Sequence, residues 1–147
     1  SEDDEVRVVT QTTGDEPPAL ARILDGDEIL AAQRLVRRVP VAEEVARYAV
    51  RLVDASRPGQ PNTPDFVGKW VKWGASLRAS QALVLGGKAR ALMQGRYSVS
   101  VADVRALAPA VLRHRIVTNF YAESDEVDAD AVVARLLETV PAPASGL

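Results

Sequence analysis

The sequence predicts an all-α fold, a compact helical bundle with short extended connectors. Apolar residues recur at the three- to four-residue spacing of helices through most of the chain, and capping residues precede several of these runs. The chain has 147 residues, of which 47% are hydrophobic and 26% charged, enough to bury one core. We therefore expect one domain over residues 1–140, followed by a proline-rich flexible tail over 141–147.

Capping residues and helix breakers divide the first half of the chain into predicted helices and loops. Serine and aspartate with an acidic residue three positions later form capping boxes, and proline or glycine ends a helix. The predicted segments are a short helix after Ser1, with an extended strand as the alternative, a loop over 12–24, a helix from Asp25 to Pro40, and a helix over 41–57.

Five further segments are predicted in the second half. The first begins with Thr63 as N-cap and Pro64 at the first helical position, and its aromatic residues at helical spacing, Phe66, Trp70 and Trp73, are expected in the core. The others are a helix from Ser76 to a left-handed Gly95 with Gly86-Gly87 allowing close helix packing, a helix capped by Ser100, an extended connector over 116–121, and a helix over 131–140 capped by Asp128.

Arg78 is the most informative residue, because a helix disfavours a positive charge in its first turn. With Ser76 as N-cap, Arg78 lies among the unpaired N–H groups at the positive end of the helix dipole. Its helical position predicts that it faces a partner surface, together with an apolar stripe of Ala82, Leu85, Ala89 and Leu92. A phosphate supplied from elsewhere would explain this arginine. The alternative is an arginine whose stem covers the core edge while its head stays in solvent.

A basic segment, residues 66–102, surrounds Arg78. It contains no acidic residue but six lysines and arginines, although the net charge of the whole chain is only −2. Such a run is usually a solvated face. Because this run brackets Arg78, a phosphate-bearing ligand or an acidic neighbouring surface is a competing interpretation.

Several kinds of site are excluded or disfavoured by the sequence. It has no glycine-rich phosphate loop, no dinucleotide-binding glycine motif and no aspartate-rich calcium loop. There are no cysteines and a single histidine, His114, which lies between two arginines, so neither a zinc site nor a histidine-based nucleophile is expected. No apolar run approaches the ~20 residues of a membrane span and no signal segment is recognisable, which favours a cytoplasmic setting without membrane contact.

Five motifs in the second half belong together. They are GASLRASQAL at 74–83, KARAL at 88–92, GRYSVS at 95–100, DV at 103–104 and VLRHRI at 111–116, with VPV at 39–41, RY at 47–48, LV at 52–53 and SR at 56–57 upstream. This pattern closely resembles the C-terminal helical lid of MoxR-type AAA+ ATPases. The resemblance covers most of the chain and implies the all-α lid fold.

The resemblance also implies which residues meet a nucleotide. Arg78 falls on the sensor 2 arginine, which approaches the γ-phosphate of ATP, and Ser76 lies in the same nucleotide-facing segment. Leu77 stands where proline is common in the family, a departure that affects how rigidly the helix begins. ATP and Mg²⁺ would be held mainly by the αβα subdomain that precedes the lid, so this segment alone would not be catalytic.

The family resemblance extends to partners. It implies packing against the αβα subdomain of the same protein and a homo-oligomeric ring, usually a hexamer. It also implies ATP-driven, chaperone-like maturation or assembly of partner proteins, often ones with von Willebrand A domains. The alternative is a non-catalytic helical interaction or nucleic-acid-binding module that uses the basic segment 66–102. A pI near 5.4 and the lack of a clear recognition helix make nucleic acid the less favoured partner.

Overall fold

The computed structural model describes residues 1–14 and 21–143, and within them the chain is helical apart from one small sheet. The elements are α1 (Glu2–Thr12), α2 (Gly26–Arg38), α3 (Glu43–Ala55), α4 (Asp65–Trp70), β1 (Val71–Trp73), α5 (Leu77–Met93), α6 (Val101–Leu112), β2 (Val117–Thr118), α7 (Phe120–Ser124) and α8 (Ala129–Thr139). The all-α prediction is confirmed. Parts of two predicted segments, the loop at 15–20 and the tail at 144–147, lie outside the described residues.

The chain divides into a small unit, Ser1–Ala32, and a larger unit, Gln33–Leu147. In the small unit, Ser1 caps α1 through a reciprocal capping box with Asp4, so the helix prediction is confirmed and the strand alternative was wrong. Asp25 and Glu28 exchange backbone-to-carboxylate hydrogen bonds of 2.8 Å at the start of α2, as the sequence predicts. No side chain of α1 or α2 is buried.

In the larger unit, α3, α5, α6 and α8 enclose one core. Each of these helices contributes fully buried side chains, among them Leu52, Leu83, Leu112 and Leu136. The predicted close helix packing at Gly86-Gly87 is confirmed, because an added Cβ at Gly86 would lie 3.0 Å from Leu107 Cδ1 of α6. An added Cβ at Gly87 would lie 2.8 Å from Val99 Cγ1, in the segment before α6. Helix α5 can approach its neighbours this closely only where it lacks side chains.

The buried face of α5 is distinct from the apolar stripe expected beside Arg78. Its buried residues are Ala79, Ser80, Leu83, Gly87 and Ala91. The residues expected to face a partner surface, Ala82, Leu85, Ala89 and Leu92, are half-buried or exposed. The helix is apolar on most sides, so periodicity alone left the inner face ambiguous. The small residues mark the face that packs, because they allow the closest helix approach.

The predicted helix around the two tryptophans was wrong in its second half. Helix α4 ends at Trp70, and the chain continues as β1, which pairs antiparallel with β2 through Val71↔Thr118 and Trp73↔Val117. Trp73 is 65% exposed, so its predicted place in the core was also wrong. The predicted connector at 116–121 supplies β2, and a partner strand distant in sequence leaves no local signal.

The predicted N-cap of α4 was wrong as well. Pro64 occupies the N-cap position, and no side chain caps this helix. The Thr63 hydroxyl instead donates to the Arg57 carbonyl (2.5 Å) and accepts from the Gln60 N–H (3.0 Å). Thr63 therefore closes the turn that follows α3, a role open to short hydroxyl side chains in loops.

Three other boundary signals are confirmed. Gly95 follows the last turn of α5 with a φ of +68°, the left-handed conformation that glycine favours. Ser100 and Asp103 form a capping box at α6. Asp128 caps α8, which begins at Ala129, two residues before the predicted start.

Candidate functional site

The first turn of α5 holds the residues that the sequence singles out. Ser76 occupies the predicted N-cap position with extended backbone, but its hydroxyl makes no capping hydrogen bond. Arg78 follows in the first turn, as predicted, and its side chain is exposed. This turn contains no acidic residue, so nothing in it neutralises the positive end of the helix dipole.

The Arg78 guanidinium is available to an anion. Among the described residues it forms no side-chain hydrogen bond or ion pair. The adjacent Leu77 projects a 62%-exposed apolar side chain into solvent. An unpaired guanidinium beside a helix N-terminus can bind a phosphate oxygen with charge-assisted hydrogen bonds.

The turn before α5 is held by the end of α3. Ser56 is fully buried, and its hydroxyl accepts a hydrogen bond from the Ala75 N–H (3.0 Å) and donates to the Val53 carbonyl (2.6 Å). Arg57 Nε donates to the Ala75 carbonyl at 2.7 Å. Both backbone groups of the Ala75 residue are thus bound by two consecutive side chains, which fixes the backbone three residues before Arg78.

Gly74 allows this approach of the two segments. A Cβ at this position would lie 2.3 Å from the Ser56 carbonyl oxygen, a distance that real atoms do not tolerate. The Ser56-Arg57 segment was visible in the sequence only as part of the family resemblance. Its contact with Ala75 spans 18 and 19 residues, so no local pattern could have predicted it.

Most cations of the basic segment are engaged within the fold. Arg90 and Arg96 both lie against the Asp103 carboxylate, and Lys69 pairs with Asp125 at 2.6 Å. Lys88 donates to the backbone carbonyl of Arg37 at 3.1 Å. The segment is therefore partly an internal ion-pair system, which weakens its interpretation as a nucleic-acid-binding surface.

An open groove of about 620 Å³ lies beside the start of α5. Its lining includes Val50, Leu77 and Leu85, with Arg37 and Lys88 among its cations and no acidic residue. Within residues 1–14 and 21–143, no three His, Cys, Asp or Glu side chains are grouped as ligands for a metal ion. Across the same residues, no helix combines the length and apolar character needed to cross a membrane.

Comparison with known proteins places this fold in a family. Residues 67–136 match the AAA lid domain family. Over 140 residues the chain is 34% identical to Chaperone MoxR1 of Mycobacterium tuberculosis, a match that covers 95% of this chain. The chain contains a AAA lid domain of the MoxR type.

Two further relatives resemble the lid domain. Uncharacterized protein YeaC of Bacillus subtilis is 28% identical over 84% of the chain. A solved structure of a Cytophaga hutchinsonii protein, described as a proposed ATPase, shares the fold with a TM-score of 0.83 and 23% identity over 96% of this chain and 43% of that one. The match of this chain spans 37% of the length of MoxR1 and 36% of the length of YeaC, so both relatives are much longer.

Proposed function

We propose that this lid domain forms one wall of the nucleotide site in a MoxR-like AAA+ ATPase, with Arg78 as the sensor 2 arginine. This proposal rests on the Arg78 guanidinium in the first turn of α5, which is exposed and has no partner within residues 1–14 and 21–143, and which lies in a segment that matches the AAA lid domain. Its fork would bind oxygens of the γ-phosphoryl group and stabilise the negative charge that develops there during transfer.

The residues at the start of α5 fit the edge of a triphosphate. A guanidinium and a helix N-terminus without acidic neighbours favour a phosphate, and the exposed Ser76 hydroxyl is not occupied by capping. ATP with Mg²⁺ would be held mainly by the αβα subdomain, and it would supply the phosphoryl group that is hydrolysed. The proposed role of this lid is to orient the phosphoryl group with Arg78. The position of the lid would then change with the presence of that group.

The wider function follows from the family. The lid would pack against the αβα subdomain of its own protein, and the whole protein would act as a homo-oligomeric ring, with six subunits as in the usual form of the family. The similarity to a chaperone, MoxR1, supports coupling of ATP hydrolysis to the maturation or assembly of partner proteins, with von Willebrand A domains as candidate clients. A cytoplasmic location is part of the same proposal.

The test is the steady-state ATPase rate of the full-length protein. Arg78→Ala should lower turnover by roughly 10²–10³-fold, because a charge-stabilising donor at the reacting phosphoryl group is lost. Arg78→Lys should restore only part of the rate, since an ammonium keeps the charge without the fork. Lys88→Ala is the matched control, and it should turn over ATP at nearly the wild-type rate.

Equal rates for the wild type and Arg78→Ala at saturating ATP would refute the sensor role. The folded state of each variant is checked by thermal unfolding. Because the Arg78 side chain is exposed and unpaired within the described residues, its removal should leave the unfolding midpoint nearly unchanged.

A further inference from the structure

We propose that Arg57 is a positioning residue for Arg78, acting through its hydrogen bond to the Ala75 carbonyl. This inference rests on the proposed sensor role of Arg78. Arg57 would make no contact with the nucleotide. Instead it would hold the backbone from which α5 begins, so that the Arg78 guanidinium points at one place.

The geometry of the turn supports this role. The Arg57 Nε–H donates to the Ala75 carbonyl at 2.7 Å, from a side chain that is 36% exposed. The neighbouring Ser56 hydroxyl accepts from the Ala75 N–H at 3.0 Å. Hydrogen bonds to both the carbonyl and the N–H restrict rotation of the backbone at Ala75, which lies three residues before Arg78.

Helix α5 lacks two local features that commonly fix the start of a helix, a side-chain N-cap hydrogen bond and a proline at the first helical position. The Ser76 hydroxyl makes no capping bond, and Leu77 occupies the first helical position, where a proline ring would have restricted the backbone. The start of the helix is therefore held by side chains of another segment. An error of about 1 Å in a group that contacts a reacting centre can cost up to roughly 100-fold in rate.

Arg57 has a second contact, which defines the competing explanation. Its Nη1 lies 3.3 Å from Asp54 Oδ1, in a half-exposed i,i+3 pair at the end of α3. If Arg57 acted only through this ion pair, ATP turnover would depend on its positive charge and not on its Nε–H donor. Such a pair contributes little to folding, because solvent screens it.

Two substitutions separate the explanations. Arg57→Gln removes the charge but keeps an N–H donor, since the glutamine amide nitrogen is as many bonds from Cα as the arginine Nε. Arg57→Met introduces a side chain about as long as arginine up to its Nε atom, but without a hydrogen-bond donor. In the full-length protein we expect ATP turnover near wild type for Arg57→Gln and a loss of about 10-fold or more for Arg57→Met.

Combination with Arg78→Ala tests whether Arg57 acts through Arg78. If it does, Arg57→Met should cost little further rate in the Arg78→Ala background, because the group that it positions is gone. A purely structural effect would lower the rate by the same factor in both backgrounds. Arg47→Met, at an arginine of α3 whose solvent-facing side chain pairs with Glu43, serves as the control and should keep the wild-type rate.

Distinct results overturn this inference and the proposed function. Loss of rate in both Arg57 variants, or the same factor in both backgrounds, refutes positioning by the Ala75 bond while leaving Arg78 as the sensor. Asp54→Ala keeps that bond and should turn over normally, so a large loss there also refutes it, even if Arg57→Met fails to fold. A normal rate for Arg78→Ala would instead refute the proposed function itself.

Discussion

The Arg96 guanidinium binds the Asp103 carboxylate with two hydrogen bonds, Nη1 to Oδ2 at 2.8 Å and Nη2 to Oδ1 at 2.5 Å. Asp103 is 1% exposed and also accepts the Ser100 backbone N–H at 2.9 Å. The Arg96 hydrogen bonds, supported by those from Ser100, lower the pKa of Asp103 to about 2. This carboxylate therefore joins the turn after α5 to the first turn of α6.

The first prediction concerns acid stability. Because the pKa of Asp103 is lower in the folded chain than its usual value of 3.8, ionised Asp103 stabilises the fold above pH ~4, and this contribution is lost as the pH falls toward 2. The difference corresponds to about 2 kcal/mol. Asp103→Asn should lower the free energy of unfolding by about that amount at pH 7 and flatten its decline between pH 4 and 2.

Urea unfolding at several pH values measures this effect. Asp130→Asn is the control, because Asp130 pairs with Arg113 at an exposed site and should contribute under about 1 kcal/mol. An equal loss in both variants would mean that the buried pair contributes no more than a surface pair.

The second prediction ranks three side chains by their effect on folding. Trp70 is half-buried, donates to Asp125 Oδ2 at 2.7 Å and lies under the Arg135 guanidinium, 5.2 Å from the ring centroid. Trp70→Ala should cost about 2–3 kcal/mol, somewhat less than for a fully buried tryptophan. Trp73→Ala and Arg78→Ala should each cost under about 1 kcal/mol, because both side chains are exposed. Chemical denaturation that placed Arg78 first would make it a structural arginine.

The third prediction uses two glycines in helices. A Cβ at Gly87 would lie 2.8 Å from Val99 Cγ1, so Gly87→Ala should destabilise the fold by about 1–3 kcal/mol. A Cβ at Gly68 meets no atom within 4 Å, so Gly68→Ala should stabilise it by about 0.5–1 kcal/mol. Thermal unfolding of both variants checks the opposite signs, and a gain from Gly87→Ala would contradict the packing of α5.

The fourth prediction concerns the isolated chain and ATP. One arginine and a helix start supply a single edge of a nucleotide site, and a tight small-molecule site buries most of its ligand. Residues 1–147 alone should therefore neither hydrolyse ATP nor bind it with micromolar affinity. Calorimetry and a phosphate-release assay with Mg²⁺ test this. Phosphate release above that of a blank would contradict the prediction, because it would mean that residues 1–147 contain a complete nucleotide site.

Local signals in the sequence were sufficient for the helical class and for most helix ends. Capping boxes at Ser1 and Ser100, the aspartate cap at Asp128 and the left-handed Gly95 each act within a few residues, so each could be read without knowledge of the fold. The place of Arg78 in the first turn of α5 followed from the same kind of signal, whereas its exposure within the described residues is a finding of the structure. Its role came from the family resemblance and remains a proposal.

The sheet, the inner face of α5 and the support of the Arg78 turn required the folded chain. Trp73 leaves the expected helix because its strand pairs with Val117, which lies 44 residues later. Ala75 is bound by Ser56 and Arg57 across 18 to 19 residues. Such contacts depend on which surfaces meet after chain collapse, and their energies are not encoded in the spacing of neighbouring residues. A periodic pattern can therefore mark where a helix begins and ends, while packing decides which side is buried and what holds its first turn.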